Sequence, residues 1–311
     1  MIRKLLFGSL FLATLCVVGC DSSAPSAGNA GGTSTANNSS PTESKTLHIA
    51  LAPSEDAEKM ANAFEGIRVQ LAKDTGMEVR VDKVTDYASV IEAQKAGKVD
   101  VAWYGPLSMV LANQEAGAQP IVLGVTAGGD ATYHSLVLVP ASSPAKSIQD
   151  LKGKKIAFVD PGSASGNLVP RAEIMKETQK KAEDFFGTVT YAGSHDASLL
   201  TLQNGNVDAC AVQDITYDEK VKSKELDPSK VKILWKSDPL PQSPLAIRKD
   251  IDPTLSKKIV DSFLSMDKKG VKMDIPGNGN FAKFIKVDFS LYKPIADMAK
   301  ALGLSKQDMV K

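Results

Sequence analysis

Two serines and two glycines lie close together in the segment DPGSASGNLVP, residues 160–170, directly after the apolar run KKIAFV. The run is typical of a buried strand, and the residues that follow could begin a helix. Backbone N–H groups and the hydroxyls of Ser163 and Ser165 would then surround one point at a helix start, which favours an oxyanion. The alternative is a plain strand–helix connection in which the hydroxyls cap the helix. The P-loop pattern fails, because Asn167 and not lysine follows Gly166.

The same serines could instead belong to a hydrolase. Ser163 or Ser165 with His195 and Asp214 supplies the side-chain types of a Ser–His–Asp triad. The nucleophile-elbow spacing Gly-x-Ser-x-Gly, however, needs serine where the chain has Ala164. An exported Ser/His hydrolase acting on a phosphate or carboxylate ester is therefore the alternative function, and both serines are better explained as oxyanion donors.

The composition gives no sign of metal, cofactor or nucleic-acid chemistry. The three histidines, His48, His134 and His195, are scattered and form no spaced metal-binding cluster. The formal net charge is +1, which gives no electrostatic reason to propose nucleic acid as a partner. We expect no metal and no cofactor.

An internal echo relates two parts of the chain. The segments DYASVIEAQKAGKVDVAWYG (residues 86–105) and SHDASLLTLQNGNVDACAVQ (residues 194–213) align at an offset of 108 residues, which pairs Tyr87 with His195. Each segment has the pattern of a helix start, an apolar helix face, a glycine stop and a Val-Asp strand entry. Two lobes on one plan would each present a polar ring at a helix N-terminus, although a chance match would give a similar echo.

The body of the chain alternates strand-like and helix-like segments. Short apolar runs rich in β-branched residues, such as TLHIALAP, PIVLGVT and HSLVLV, occur before Pro140, and KKIAFVD, VDACAV and VKILWKS follow it. Amphipathic stretches such as EDAEKMANAFEGIRVQLAKDTG separate them. The pattern predicts an α/β fold with parallel connections.

The N-terminus has the features of an export signal. A short basic start is followed by an apolar run too short to span a bilayer, and the run ends in VVGC, which resembles the lipobox of bacterial lipoproteins. We therefore assign residues 1–20 to a lipoprotein signal peptide with Cys20 as the lipidated residue; a retained signal anchor is the alternative. Residues 21–45 are small and polar and predict a flexible tether. Cys210 is then left without a disulfide partner.

Four segments, in order, resemble the phosphonate- and phosphite-binding lipoproteins of ABC importers. They are TDYASVIEAQKAGKVDVAWYGPLS, DPGSASGNLVP, AGSHDASLLTLQNGNVD and ILWKSDPLPQSPLAIRKD. The resemblance implies a type II periplasmic-binding-protein fold, in which two α/β lobes joined by a two-strand hinge close on a phosphorus oxyanion. The expected division is lobe 1 at 46–139, lobe 2 at 140–238, and a return to lobe 1 with C-terminal helices at 239–311.

The resemblance also implies which residues bind the ligand. The aromatic contacts fall on Tyr87 and Tyr104, and the cleft histidine on His195. The family's Ser-Thr-Ser anion loop falls on Ser163, Ala164 and Ser165. At Ala164 a hydroxyl is missing, so that residue is expected to contribute only its backbone N–H.

Ligand choice depends on two further positions. Relatives that bind aminoalkylphosphonates hold the ligand's ammonium with two carboxylates; here Asp214 lies one place from the first position, and Ser243 occupies the second. A buried cation without partners is costly. We therefore expect phosphite, phosphate or a small alkylphosphonate to be preferred. Asp214 is expected to accept a hydrogen bond from a protonated oxyanion or, alternatively, to cap the next helix.

These observations predict a binding protein and not an enzyme. It would be the substrate-binding component of an ABC importer, lipid-anchored on the periplasmic or cell-surface side of the cytoplasmic membrane, with a membrane permease as its partner. A lipoprotein that only scaffolds or signals at the membrane would fit the anchor but leave the cleft motifs unused.

Overall fold

The computed structural model describes residues 46–303. The predicted signal peptide (residues 1–20), the lipidation site Cys20 and the predicted tether (residues 21–45) lie outside the described residues. Within the described part, no helix combines the length and apolar character needed to cross a membrane.

Strands and helices alternate along the described chain, as the sequence predicts. The strands are β1 (Thr46–Leu51), β2 (Glu78–Asp82), β3 (Val101–Trp103), β4 (Gln119–Val125), β5 (Thr132–Tyr133), β6 (Ser135–Pro140), β7 (Lys155–Phe158), β8 (Thr188–Tyr191), β9 (Ala209–Gln213), β10 (Val231–Lys236), β11 (Leu240–Pro241), β12 (Pro244–Ile247), β13 (Asp274–Ile275), β14 (Gly279–Asn280) and β15 (Lys283–Lys286). The helices are α1 (Ala57–Thr75), α2 (Tyr87–Lys95), α3 (Pro106–Ala116), α4 (Val169–Thr178), α5 (Ala182–Phe185), α6 (His195–Gln203), α7 (Asp214–Lys222), α8 (Pro253–Leu264) and α9 (Lys293–Ala301).

Two mixed sheets organise the described chain. The first has six strands in the order β15-β4-β12-β3-β1-β2, with β1 parallel to both β2 and β3. The second has five strands in the order β10-β6-β9-β7-β8, with β7 parallel to both β8 and β9. Apolar residues are buried on both faces of each sheet. The fold is thus the two-lobed α/β arrangement of type II periplasmic binding proteins, with one sheet in each lobe.

Within residues 46–303 the chain crosses between the sheets twice, and the two crossing strands pair with each other. Strand β5 leads from the first sheet to the second, β11 leads back, and the two form a short antiparallel ribbon in which Tyr133 pairs with Leu240. This ribbon is the two-strand hinge that the fold requires. Strand β6 belongs to the second sheet. The predicted lobe boundaries at 139 and 239 stay a prediction, since sheet membership alone does not delimit a domain.

The internal echo corresponds to two equivalent helices. Helix α2 begins after Asp86, whose carboxylate accepts the N–H of Ser89, and α6 begins after Ser194, whose hydroxyl accepts the N–H of Ala197. Each helix has nine residues and is followed by a glycine with a φ of 70°. The side chains of Tyr87 and His195 therefore occupy the first position of equivalent helices, one in each lobe.

Candidate functional site

The segment after β7 forms a tight turn that leads into α4. Residues Ala164–Leu168 make one turn of π-helix, a feature frequently found at functional sites. The hydroxyl of Ser163 caps this turn by accepting the N–H of Gly166 at 3.0 Å. Gly166 cannot be replaced without movement, because a Cβ there would come within 2.3 Å of Val159. The turn thus presents its first backbone N–H groups and its serine hydroxyls at one end, as an anion loop requires.

Tyr87 approaches this loop from the other lobe. Its phenol lies beside the Ser163 hydroxyl, and burial raises the pKa of the phenol well above the usual value. Its side chain lies so close to Gly162 that a Cβ on that glycine would be 3.0 Å from the Cβ of Tyr87 and 3.6 Å from its ring. Asp160 helps to position both segments, because its carboxylate accepts the N–H of Gly162 at 2.7 Å and lies near the N–H of Tyr87. Burial raises the pKa of Asp160 to about 6.

His195 lies at the start of α6 and is 2% exposed. Its backbone N–H donates to the carbonyl of Ser54 in the first lobe at 2.8 Å. Its Nδ1 atom accepts the backbone N–H of Gln213 at 3.1 Å, so the ring proton is on Nε2. Burial lowers the pKa of the ring to about 3. His195 is therefore a neutral donor at ordinary pH.

One cavity between the lobes collects these groups. The cavity is small, with a free volume of about 20 Å³, so it accepts only a small ligand. None of the described residues that line it carries a formal charge at neutral pH. They are Ala52, Ser54, Met60, Tyr87, Trp103, Tyr104, Gly105, Pro106, Tyr133, Ser163, Ala164, Ser165, His195, Gln213, Ser243 and Asn278.

Tyr104 lines the cavity, but its hydroxyl is used elsewhere. The hydroxyl donates to Oε1 of Gln94 at 3.0 Å, within the first lobe. Its backbone N–H donates to the carbonyl of Pro244. The resemblance implies a direct hydrogen bond from Tyr104 to the ligand. In this arrangement the hydroxyl is already bonded to Gln94, so the ring serves only as part of the cavity wall.

Asp214 does not line the cavity. Its Oδ1 accepts the backbone N–H of His134 at 2.9 Å, and its Oδ2 lies 3.5 Å from Nζ of Lys236. It occupies the first turn of α7 without capping that helix. Neither predicted role for Asp214, acceptor from the ligand or helix cap, corresponds to these contacts; the carboxylate ties α7 to the neighbouring segment of the hinge.

The same contacts argue against a hydrolytic triad. In a triad the carboxylate accepts a hydrogen bond from histidine Nδ1–H. Here Nδ1 of His195 is itself an acceptor, and Asp214 is held by His134 and Lys236. Among residues 46–303, His195 therefore lacks the carboxylate partner that would make it the base of a triad.

Tyr133 is a lining residue that the sequence interpretation missed. It lies on hinge strand β5, is 4% exposed, and its phenol lies beside the hydroxyl of Ser165. Burial raises its pKa. Tyr87 and Tyr133 thus contact the two serines of the anion loop one apiece. The only available signal was a tyrosine at the polar start of the run YHSLVLV, which is weak.

Comparisons with known proteins agree with this geometry. The family model described as ABC transporter, phosphonate, periplasmic substrate-binding protein matches residues 49–292. The chain is 33% identical over 229 residues to the phosphate-import protein PhnD of Mycolicibacterium smegmatis, covering 70% of this chain and 71% of that protein. It is 28% identical over 279 residues to the phosphonates-binding periplasmic protein of Escherichia coli, covering 86% and 82%.

The fold also matches a solved structure. PhnD1 from Prochlorococcus marinus, determined in complex with methylphosphonate, superposes with a TM-score of 0.72 at 20% sequence identity. The match covers 83% of this chain and 98% of that one. At this identity the comparison establishes the shared fold.

Proposed function

The chain belongs to the family of periplasmic substrate-binding proteins of phosphonate ABC transporters, and on that premise we propose that it captures a small phosphorus oxyanion for a membrane permease. Phosphate, phosphite and a small alkylphosphonate are the ligands that we favour. The names of the similar proteins support this range, since one is a phosphate-import protein and another was determined with methylphosphonate. The protein would release its ligand unchanged.

The observation that carries the proposal is the small uncharged cavity with hydroxyl donors at one end. Ser163 and Ser165 with their tyrosine partners, and Nε2–H of His195, supply neutral donors, which bind an oxyanion without a cationic side chain. The position at which related binders carry an acid for an ammonium group is Ser243, which lines the cavity. An aminoalkyl group would find no counter-charge among the described lining residues and little room.

Phosphorus NMR of the protein with one equivalent of methylphosphonate or phosphite separates binding from catalysis. We expect a single bound signal and quantitative recovery of the original compound after denaturation. A new phosphorus species in the recovered sample would favour the hydrolase, and an unperturbed free signal would argue against this cavity as an oxyanion site.

We also propose that Cys20 carries a lipid anchor, because the VVGC sequence follows a short export-type apolar run. The Cys20→Ser variant should leave the membrane fraction and keep the same affinity for ligand, since residues 21–45 offer no large apolar side chains for a cleft. Retention of the variant in the membrane would contradict the anchor, and a tenfold loss of affinity would place the tether at the site.

A further inference from the structure

Trp103 has a buried donor that the packing of its ring does not explain. The residue ends β3 and is 2% exposed. Its ring stacks on Phe281 at a centroid distance of 6.1 Å and meets Phe64 edge-on at 6.0 Å. These contacts leave the indole N–H without an acceptor among residues 46–303. Buried donors without partners are rare in native proteins and call for an explanation.

We propose that the indole N–H of Trp103 donates to the bound anion. The inference rests on the proposed function, because Trp103 lines the same cavity as the anion loop. It adds a donor from the first lobe, opposite the serines of the second lobe.

An indole N–H can only donate, so it sets a chemical requirement. The ligand atom that faces it must be an oxygen, because a P–H or P–CH₃ group would leave the donor unsatisfied. If the donor meets the fourth substituent of phosphorus, it favours phosphate over phosphite and methylphosphonate. If the N–H donates to one of the three oxygens that all three ligands have, it strengthens the binding of phosphate, phosphite and methylphosphonate alike.

The chain has two tryptophans, Trp103 and Trp235, which makes an isosteric test possible. In a Trp235→Phe background, Trp103 is replaced biosynthetically by 3-benzothienylalanine, in which sulfur replaces the N–H and the ring shape is kept. Calorimetry with phosphate and with methylphosphonate then measures the donor alone. We expect phosphate to bind about ten- to a hundredfold more weakly, the effect of one hydrogen bond to a charged group.

Two further measurements keep the outcome unambiguous. Trp103→Phe in the same background provides a second route to loss of the donor, and circular dichroism confirms that each protein is folded. Unchanged phosphate affinity in both folded proteins would overturn the proposal. The proposed function would still stand in that case, provided that the parent protein binds phosphate and the Ser165→Ala variant binds it more weakly.

A second and independent observation concerns Glu55, which follows β1. Its side chain lies between the lobes, where Oε1 accepts hydrogen bonds from the hydroxyl of Thr216 and, at 3.3 Å, from the amide of Gln213. The same amide donates to the carbonyl of Gly277 at 2.7 Å. We call Glu55, Gln213, Thr216 and Gly277 the inter-lobe latch. Glu55 is 5% exposed, and its carboxyl has no cationic partner among the described ion pairs.

The charges around the latch do not favour an ionised Glu55. Two carboxylates act on it directly, those of Asp196 and Glu219. Lys220 is a nearby cation that interacts electrostatically with Glu55, but its ammonium group forms an ion pair with Glu225 at 2.8 Å. Other titratable groups that face it are Tyr87 from α2, and Asp56 and Lys59 from the start of α1.

We infer that closure of the lobes takes up a proton at Glu55. In an open protein this carboxyl would face water and ionise at ordinary pH, whereas between the closed lobes it is buried beside two other acids. Burial, chiefly, raises the pKa of Glu55 to about 8 in the closed arrangement. Because ligand capture requires closure, ligand affinity should fall by up to about tenfold per pH unit as pH rises towards 8, in addition to the ligand's own titration.

Calorimetry of methylphosphonate binding near neutral pH, in two buffers of different ionisation enthalpy, counts the protons taken up. We expect the intact protein to take up nearly one more proton than the Glu55→Gln variant, whose amide can accept the same hydrogen bonds without titrating. The uptake by wild type, corrected for the titration of methylphosphonate itself, tests the point even if the variant does not fold. Equal proton uptake by the two proteins, or no corrected uptake by wild type, would overturn the proposal that closure protonates Glu55. Absence of ligand binding in wild type would instead count against the proposed function.

Discussion

Nδ1 of His195 accepts a hydrogen bond from the backbone N–H of Gln213, 3.1 Å away. The acceptor role fixes the neutral tautomer of the ring and leaves Nε2–H as its single donor. Burial, which lowers the pKa of this histidine to about 3, acts in the same direction. The ring therefore contributes a hydrogen bond to the site and no positive charge.

The first prediction concerns how the ligand affinity of the His195→Ala variant depends on pH. A ring that had to be protonated would lose ligand as pH rises through its pKa; a ring with a pKa of about 3 is already neutral above that pH. The affinities of wild type and His195→Ala should therefore stay in a constant ratio between about pH 5.5 and pH 8. Calorimetry across this range checks it, and a wild-type advantage that disappears with rising pH would indicate a charged ring.

The Ser165→Ala substitution should weaken the binding of every oxyanion. The hydroxyl lies at the start of the anion loop, and its loss also removes the polar group beside the Tyr133 phenol. A hydrogen bond to a charged group contributes about 1.5–3 kcal/mol, so the dissociation constant should rise roughly ten- to a hundredfold. Ser142→Ala, at an exposed position away from the cavity, is the control. Equal affinities of the two variants would remove the loop from the site.

Tyr133 and Tyr104 form a matched pair. Tyr133→Phe removes a hydroxyl that contacts the anion loop, and we expect it to weaken binding about tenfold. Tyr104→Phe removes a hydroxyl that is bonded to Gln94, so we expect a loss of about 1 kcal/mol in the free energy of unfolding with affinity nearly unchanged. Titrations and denaturant melts of both variants separate the two effects. The reverse ranking of affinities would restore Tyr104 as the ligand donor.

Much of this arrangement follows from local sequence. The caps at Asp86 and Ser194, the glycines after the two helices and the glycine-serine turn are all set by neighbouring residues, and so the repeat and the anion loop could be predicted. The contact between Tyr133 and Ser165 could not, because it depends on how hinge strand β5 crosses between the lobes.

Tyr104 and Asp214 show the same limit. The Tyr104 ring follows a three-residue strand, and sequence does not fix the side to which its hydroxyl is directed. Asp214 is held by the N–H of His134, 80 positions earlier in the chain. Contacts made across such separations are decided by tertiary packing, which no motif records.

Ser243→Asp should shift ligand preference. Ser243 lines the cavity, and a carboxylate there would give an ammonium group a counter-charge while repelling simple oxyanions. We expect 2-aminoethylphosphonate to gain at least about tenfold relative to phosphite. Ser243→Asn has the same shape without the charge and should leave the preference unchanged. If both variants behave alike, charge at this position does not select the ligand.

The most direct test is a calorimetric titration of the wild-type protein with phosphate, phosphite, methylphosphonate and 2-aminoethylphosphonate under one set of conditions. The cavity is small and no charged side chain lines it among the described residues. We therefore predict one site that binds at least one of the first three ligands at least about tenfold more tightly than 2-aminoethylphosphonate. Tightest binding of 2-aminoethylphosphonate, or no binding of any of the four, would contradict this account.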